Sequence, residues 1–120
     1  MSEQFTDPTC IFCKMVSGEI AVKPLFENSH AIVISDINPQ APVHALAIPK
    51  RHVPSFAALS ANDADILTSV MFAAAEFARS QGLDASGYRL NINHGVDGGQ
   101  TVGHLHVHIL GGRKMTWPPG

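Results

Sequence analysis

The apolar residues of this chain follow two different spacings, and the change comes near residue 60. From there they recur at intervals of three and four, at Ile66, Leu67, Val70, Met71, Ala74, Phe77 and Ala78. This period predicts one amphipathic helix of about 20 residues whose apolar face turns toward a core. Ser60, followed by Asp63 three residues later, is typical of a helix start, and Gly82 suits the end.

Shorter apolar segments elsewhere are rich in β-branched residues or alternate with polar ones, which predicts strands. They lie at 25–28, 30–37, 44–49, 88–93 and 102–110. The segment TCIFCKMVS (9–17) predicts a short helix that Thr9 caps and Gly18 ends. This order indicates an α+β fold in which about five strands form an antiparallel meander, with the helices on one face.

The chain has 120 residues and contains no repeat or linker, so we predict a single domain over 1–120. Residues 1–8 are polar and are expected to be a flexible N-terminus. Residues 111–120 form a tail that cannot easily extend a sheet, because it contains two consecutive prolines.

Charge and composition exclude several classes of function. The net charge is −2, so an extended basic surface that binds nucleic acid electrostatically is not expected. No apolar run approaches the roughly 20 residues that cross a bilayer, and the N-terminus carries no signal pattern. We therefore expect a cytoplasmic protein that binds neither membranes nor nucleic acid. Its two cysteines, Cys10 and Cys13, form a C-x-x-C pair, for which a structural disulfide is improbable in that compartment.

The segment GHLHVHILGG (103–112) holds three of the seven histidines at alternate positions. Strand alternation would place His104, His106 and His108 on one face and the aliphatic residues between them on the other. Such a group could bind zinc, or it could supply a nucleophile with neighbours that orient it. The preceding DGGQT favours the second use, since glycine amides, Gln100 and Thr101 suit a phosphate. His30 and His94 are interpreted as ordinary surface residues.

Together these motifs resemble the histidine triad (HIT) superfamily, and more narrowly its nucleoside phosphoramidase (HINT) branch. The resemblance rests on CIFCKMVSGEI, DINPQAPVHALAIPKRH and NINHGVDGGQTVGHLHVHILGGRKMTWPPG, whose WPPG ending is typical of that branch. It implies that His106 is the nucleophile and that His108 contacts the phosphate and assists proton transfer. It also implies that His104 holds its neighbours' tautomers and that His44 and Thr101 complete the catalytic set.

The resemblance also implies a nucleotide pocket. Asp36 would bind the ribose, while Asn93, Gln100 and Thr101 would bind the phosphate. Ile11, Phe12, Ile34 and Ile37 would enclose either purine, although for Ile11 and Ile34 an ordinary core role is an equal alternative. Trp117 and its tail resemble a segment that shapes the leaving-group pocket of a partner subunit. Gly103 and Thr116 depart from the common pattern, which bears on leaving-group preference.

Some bacterial relatives of this kind bind a structural zinc, and here the matching ligands are Cys10, Cys13, His52 and His104. A redox-active C-x-x-C pair is the rival interpretation. No organic cofactor is expected.

The leading functional hypothesis is hydrolysis of purine nucleoside 5′-phosphoramidates through a covalent nucleotidyl-histidine. Its ligands would be a purine nucleoside monophosphate and its phosphoramidates or acyl-phosphates. Alternatives are a dinucleoside polyphosphate hydrolase, a nucleotide-binding regulatory or scaffold protein, and a zinc enzyme that uses the triad as ligands. A homodimer is expected, because a domain this small can extend its core by symmetric pairing.

Overall fold

The computed structural model describes residues 6–120, so most of the N-terminus predicted to be flexible lies outside it. Helix α1 (Ile11–Ser17) is followed by strands β1 (Phe26–Glu27), β2 (Ala31–Ser35) and β3 (Val43–Pro49). Helix α2 (Ala64–Ser80) and the short helix α3 (Leu83–Ser86) precede strands β4 (Tyr88–Ile92) and β5 (Val107–Gly111). This arrangement confirms the α+β class with a five-stranded antiparallel sheet.

The strands are not a simple meander, which corrects the predicted topology. Their order in the sheet is β1-β2-β3-β5-β4, and every neighbouring pair is antiparallel. Strand β5 inserts between β3 and β4 because its Val107 and Ile109 are buried, whereas β4 exposes Tyr88 and Leu90 and so suits an edge. The histidine segment therefore ends in an interior strand, paired on both sides.

The helices cover both faces of the sheet, not one face as predicted. Helix α2 packs against the face formed by small and β-branched residues, which include Ala31, Val33, Ala45, Ala47, Val107 and Ile109. Helix α1 covers the opposite face, where Phe12 and Cys13 meet Ile32, Ile34, Leu46 and Ile48. Strand β2 is buried on both sides, which explains its nearly continuous apolar run.

Several element ends differ from the predicted ones. Cys10, not Thr9, caps α1, because its Sγ accepts a hydrogen bond from the Cys13 amide. The Ser60–Asp63 capping box is present, but it opens a 3₁₀ turn (Ala61–Asp63), and α2 proper has 17 residues. Helix α3 was not predicted. Within residues 6–120, no helix has both the length and the apolar character needed to span a membrane.

Candidate active site and metal centre

The histidine segment becomes a strand only at Val107, so His104 and His106 lie in the extended chain just before β5. His106 is buried, and its ring packs edge-on against Phe12 of α1. Its Nδ1 lies 2.7 Å from the main-chain oxygen of His104. A carbonyl only accepts, so Nδ1 carries the proton and donates, and Nε2 of neutral His106 keeps a free lone pair.

His108 and His44 form a second polar chain whose direction is set by the backbone. The amide of Gln40 donates to His44 Nδ1 at 3.0 Å, which leaves the proton of neutral His44 on Nε2. That Nε2 lies 2.9 Å from His108 Nδ1 and donates to it. Neutral His108 must then carry its own proton on Nε2, as a donor for a phosphate oxygen.

Asp36 is the carboxylate of this group. Its Oδ2 lies 3.3 Å from His44 Nε2 and 4.0 Å from His108 Nδ1, while its Oδ1 accepts from the Asn38 amide. Burial, together with the neighbouring His106 and His44, lowers the pKa of His108 to about 4, although Asp36 acts in the opposite direction. His108 is therefore neutral at pH 7 in the free protein.

His104 faces a different set of partners. It is fully buried, and its Nε2 lies 2.8 Å from the carbonyl of Pro49, to which it donates. Its bare Nδ1 lies 3.3 Å from Cys10 Sγ, 3.6 Å from Cys13 Sγ and 3.2 Å from His52 Nδ1. Burial lowers the pKa of His104 to about 4, which keeps this nitrogen available as a ligand.

These four side chains fit a tetrahedral zinc ion. Their ligand atoms all lie within 4.8 Å of one another, and Cys13 Sγ is 3.3 Å from His52 Nδ1. Ordinary zinc–sulfur and zinc–nitrogen bonds place S and N ligands about 3.5 Å apart in a tetrahedron. Burial raises the pKa of the Cys13 thiol to about 11 in the absence of metal, so zinc would have to displace its proton.

A pocket of about 230 Å³ lies between α1, the start of the loop after β2, and the triad. Most of the residues predicted to enclose the nucleoside line it: Ile11, Phe12, Ile34, Asp36, Ile37 and Thr101, together with His106 and His108. Ile37 is 94% exposed at the mouth, whereas Ile34 is 2% exposed at the base. The pocket therefore offers apolar walls, the carboxylate of Asp36 and the hydroxyls of Ser35 and Thr101 beside the two histidines.

The glycine-rich loop is held by its own amide side chains. Gln100 donates through Nε2 to Pro54 O and Val102 O and accepts from the Gly95 amide through Oε1. Its side chain is thus committed to the loop, and the phosphate contact predicted for it stays a prediction. Asn93 donates to Gly98 O and accepts from Asn91, while it also lines a second cavity beside His108.

Known proteins are similar to this chain over most of its length. A family model described as the scavenger mRNA decapping enzyme C-terminal binding domain matches residues 9–117. A HIT-like protein from Synechocystis is 44% identical over 110 residues, which cover 92% of this chain and 96% of that protein. The chain belongs to the histidine triad superfamily.

Solved structures support this assignment of the histidine triad fold. A HIT family hydrolase from Legionella pneumophila is 44% identical and superimposes with a TM-score of 0.90, covering 93% of this chain and all of that one. A histidine triad nucleotide-binding protein from Candida albicans is 31% identical, with a TM-score of 0.77, and covers 84% of this chain and 73% of that one. The superfamily resemblance predicted from the motifs is confirmed.

Within the triad, the structure divides the histidines between two sites. His106 and His108, with ring centroids 5.1 Å apart, face the nucleoside pocket, while His104 joins the cysteine cluster. The carbonyl of His104 nevertheless fixes the tautomer of His106, so the main chain and the side chain of one residue serve different sites. The predicted role of His104 as a tautomer holder thus fits its carbonyl, whereas its ring belongs to the cluster with Cys10, Cys13 and His52.

A second cavity, of about 590 Å³, opens beside His108 on the β4 side of the triad, and sequence reasoning missed it. Its walls include Asn91, Arg89, Arg113 and Met115, which come from the edge strand and the tail. The predicted role of the tail in shaping a pocket fits this cavity. Trp117 itself is 82% exposed and lines neither pocket within one chain, so its contact with substrate stays a prediction.

Proposed function

We propose that this protein hydrolyses purine nucleoside 5′-phosphoramidates to a nucleoside monophosphate and a free amine. One observation carries the proposal: the bond from His106 Nδ1 to the His104 carbonyl leaves Nε2 bare beside the nucleoside pocket. A neutral imidazole with a fixed, uncoordinated lone pair is a good nucleophile near pH 7. The Legionella relative is called a hydrolase and the Candida relative is called nucleotide-binding, which agrees with this chemistry.

In the first step, His106 Nε2 attacks the α-phosphorus, and the P–N bond breaks as the new N–P bond forms. The amine must gain a proton as it leaves. His108 supplies it from Nε2 after binding of the anionic substrate has favoured its protonated form. In that form Nδ1 also carries a proton, so His44 Nε2 must donate to Asp36 Oδ2 and not to His108, and Asp36 is the nearest carboxylate to stabilise the charge. In the second step water attacks phosphorus, its proton passes to His108, and the bond to His106 breaks.

The remaining residues of the pocket bind the nucleoside and the phosphate of the substrate. Asp36 accepts hydrogen bonds from the ribose hydroxyls, and Phe12, Ile34 and Ile37 hold the base between apolar surfaces. Such contacts recognise the shape of a purine and not its edge, so adenine and guanine are both accepted. Thr101 and Asn93 bind the phosphate from the loop side. The WPPG ending is the feature that supports placing the chain in the phosphoramidase branch.

We also propose that Cys10, Cys13, His52 and His104 bind zinc for a structural purpose. A bound zinc would tie α1 to the segment before β5 and stabilise the fold. His106 lies outside that cluster, which disfavours a zinc enzyme with the whole triad as ligands. Pairing of two copies is supported by the exposed Tyr88 and Leu90 on the edge strand β4.

The test compares release of amine from adenosine 5′-phosphoramidate by the wild type, His106→Ala and His30→Ala. We expect His106→Ala to lose at least about a thousandfold in kcat while it still binds AMP, because only the nucleophile is removed. His30 is exposed and distant from the pocket, so its variant is the matched control. Full activity in His106→Ala would refute the mechanism.

Two other activities remain candidates. A dinucleoside polyphosphate hydrolase would cleave diadenosine polyphosphates faster than phosphoramidates in the same assay. A regulatory or scaffold protein would bind AMP with equal affinity in both histidine variants but turn over neither substrate at a useful rate.

A further inference from the structure

The second cavity carries an unusual charge. Arg89 and Arg113 stand on its walls, and no Asp or Glu is among the residues that line it. Elsewhere in residues 6–120, Lys50 is paired with Glu27, Arg51 with Asp63 and Arg79 with Glu76, whereas the other lysines form no ion pair in that range. Arg89 and Arg113 have no carboxylate within 4.0 Å in that part of the chain. The charged side chains that line the cavity are therefore both positive, in a protein whose net charge is −2.

The register of the sheet places this charge near the chemistry. Asn91 on β4 is paired with His108 on β5, and Arg89 is paired with Leu110, two residues further along. Arg89 is thus the diagonal neighbour of His108 on the same face, with Cβ atoms about 7–8 Å apart in such pairs. A guanidinium on a long side chain can cover that distance. A leaving group that departs from a phosphorus beside His108 could therefore contact the Arg89 guanidinium through an atom only a few bonds from the phosphorus.

Both arginines are anchored by main-chain oxygens. Arg89 Nη2 donates to Thr116 O at 2.9 Å, and Arg113 Nε donates to Gln40 O at 3.2 Å. These bonds fix each guanidinium while leaving other N–H groups unassigned to any partner within residues 6–120. Fixed donors with spare N–H groups are what a carboxylate or phosphate oxygen requires.

From this arrangement we propose that Arg89 and Arg113 select leaving groups that carry an anionic oxygen. The proposal rests on the proposed function, because it names the class of substrate that the same site cleaves. The nucleoside monophosphate occupies the smaller apolar pocket, and the amine carrying a carboxylate or phosphate extends into the larger basic cavity. A leaving group that is itself a nucleoside phosphate shares this chemistry.

The experiment uses three adenosine 5′-phosphoramidates of similar size, made from β-alanine, β-alaninamide and 1,3-diaminopropane. They place an anionic, a neutral and a cationic group at the same distance from phosphorus. We expect kcat/KM to be about tenfold higher for the β-alanine compound than for its amide, since the attraction between unit charges at about 4 Å in a solvent-accessible cavity lies between its bulk-water strength and its strength near a dry surface. The cationic compound should be the poorest substrate.

Variants separate charge from structure. Arg89→Gln and Arg113→Gln should each lower the acid-to-amide ratio several-fold and leave kcat/KM for the amide nearly unchanged, whereas loss of structure would lower both together. Arg89→Lys should keep most of the ratio, and Lys23→Gln, at an exposed site away from the cavity, should keep all of it. A wild-type ratio near one, or a ratio that both glutamine variants preserve, overturns the proposal.

Two further arms separate this inference from the proposed function. Diadenosine triphosphate has ADP, an anionic group, as its leaving group. If the protein cleaves this compound but no phosphoramidate, and if both glutamine variants lower kcat/KM for it, phosphoramidase activity is rejected and the selection of anionic leaving groups is retained. If no substrate turns over, dissociation constants of the acid and amide compounds for His106→Ala decide. Tighter binding of the acid that Arg89→Gln abolishes supports the inference, and equal binding of both compounds refutes it.

Discussion

Gly98 is the residue at which a single methyl group should damage the site most. A Cβ built at Gly98 would lie 2.8 Å from His94 N and 3.0 Å from His94 C, with the His94 oxygen closer still. Nonbonded contacts with carbon are optimal near 3.5–4.0 Å, so Gly98→Ala must push the loop away by about 1 Å. The loop would then lose the hydrogen bond from Asn93 Nδ2 to Gly98 O, now 2.5 Å.

The cost follows from this displacement. Overpacking of this kind costs about 1–3 kcal/mol, which a domain of ordinary stability survives. A misplacement of about 1 Å in groups that hold a substrate costs about a hundredfold in rate. We therefore expect Gly98→Ala to fold, to melt somewhat earlier, and to lose about a hundredfold in kcat/KM for adenosine 5′-phosphoramidate.

Gly103→Ala is the matched control, because a Cβ at Gly103 meets nothing within 4 Å. Both variants insert the same methyl group, one on each side of Thr101. Steady-state kinetics and thermal melting of the two proteins test the reasoning. Equal activity in the two variants, or a loss confined to Gly103→Ala, would refute it.

Three further predictions concern the metal, the buried histidine and the edge strand. The purified protein should bind one zinc per chain and release thiol protons as it does so. Calorimetry in buffers of different ionisation enthalpy measures the protons released, and Cys13→Ala should abolish the binding. Binding without proton release would contradict the assignment. The pKa of folded His108 is about 4, below its usual 6.5, so the unfolded state takes up the proton first as pH falls. Stability should therefore be constant above pH 6.5, fall by up to about 3 kcal/mol between pH 6.5 and 4, and fall less in His108→Asn, as urea titrations at each pH would measure. Leu90→Glu should shift sedimentation toward a single chain if β4 pairs two copies, and an unchanged sedimentation coefficient would place the interface elsewhere.

The elements that the sequence predicted well are those whose signal is periodic. The three-and-four spacing located α2, and the β-branched runs located β2 and β3 to within two residues. Strand order was not predictable in this way, because the pattern of one strand does not specify its neighbour. Strand β5 lies inside the sheet because Val107 and Ile109 are buried on one face and His108 is half-buried on the other. That burial depends on how all five strands pack together.

The candidate site shows the same division. The spacing of the histidines predicted a shared site, and His106 and His108 do line one pocket; the family resemblance named the four Cys and His side chains that the structure brings together. The tautomers were not predictable, since they depend on three backbone groups, Gln40 N, Pro49 O and His104 O, whose positions only the folded chain determines. Arg89 and Arg113 belong to no motif, because the role proposed for them depends on the cross-strand register and on the lack of an ion-pair partner among the residues that the structure describes.

The central claim is that His106 Nε2 forms a transient bond to phosphorus. Rapid quench of the protein with a slowly hydrolysed adenosine phosphoramidate into an alkaline denaturant, followed by peptide mass spectrometry under conditions that keep the acid-labile N–P bond, tests it directly. We predict one adenylyl group per chain on the peptide that holds His106, with fragmentation that assigns it to this residue, and none in His106→Ala. An adduct on His108 or His44, or product formation in the first turnover with no adduct on any histidine, would contradict the claim.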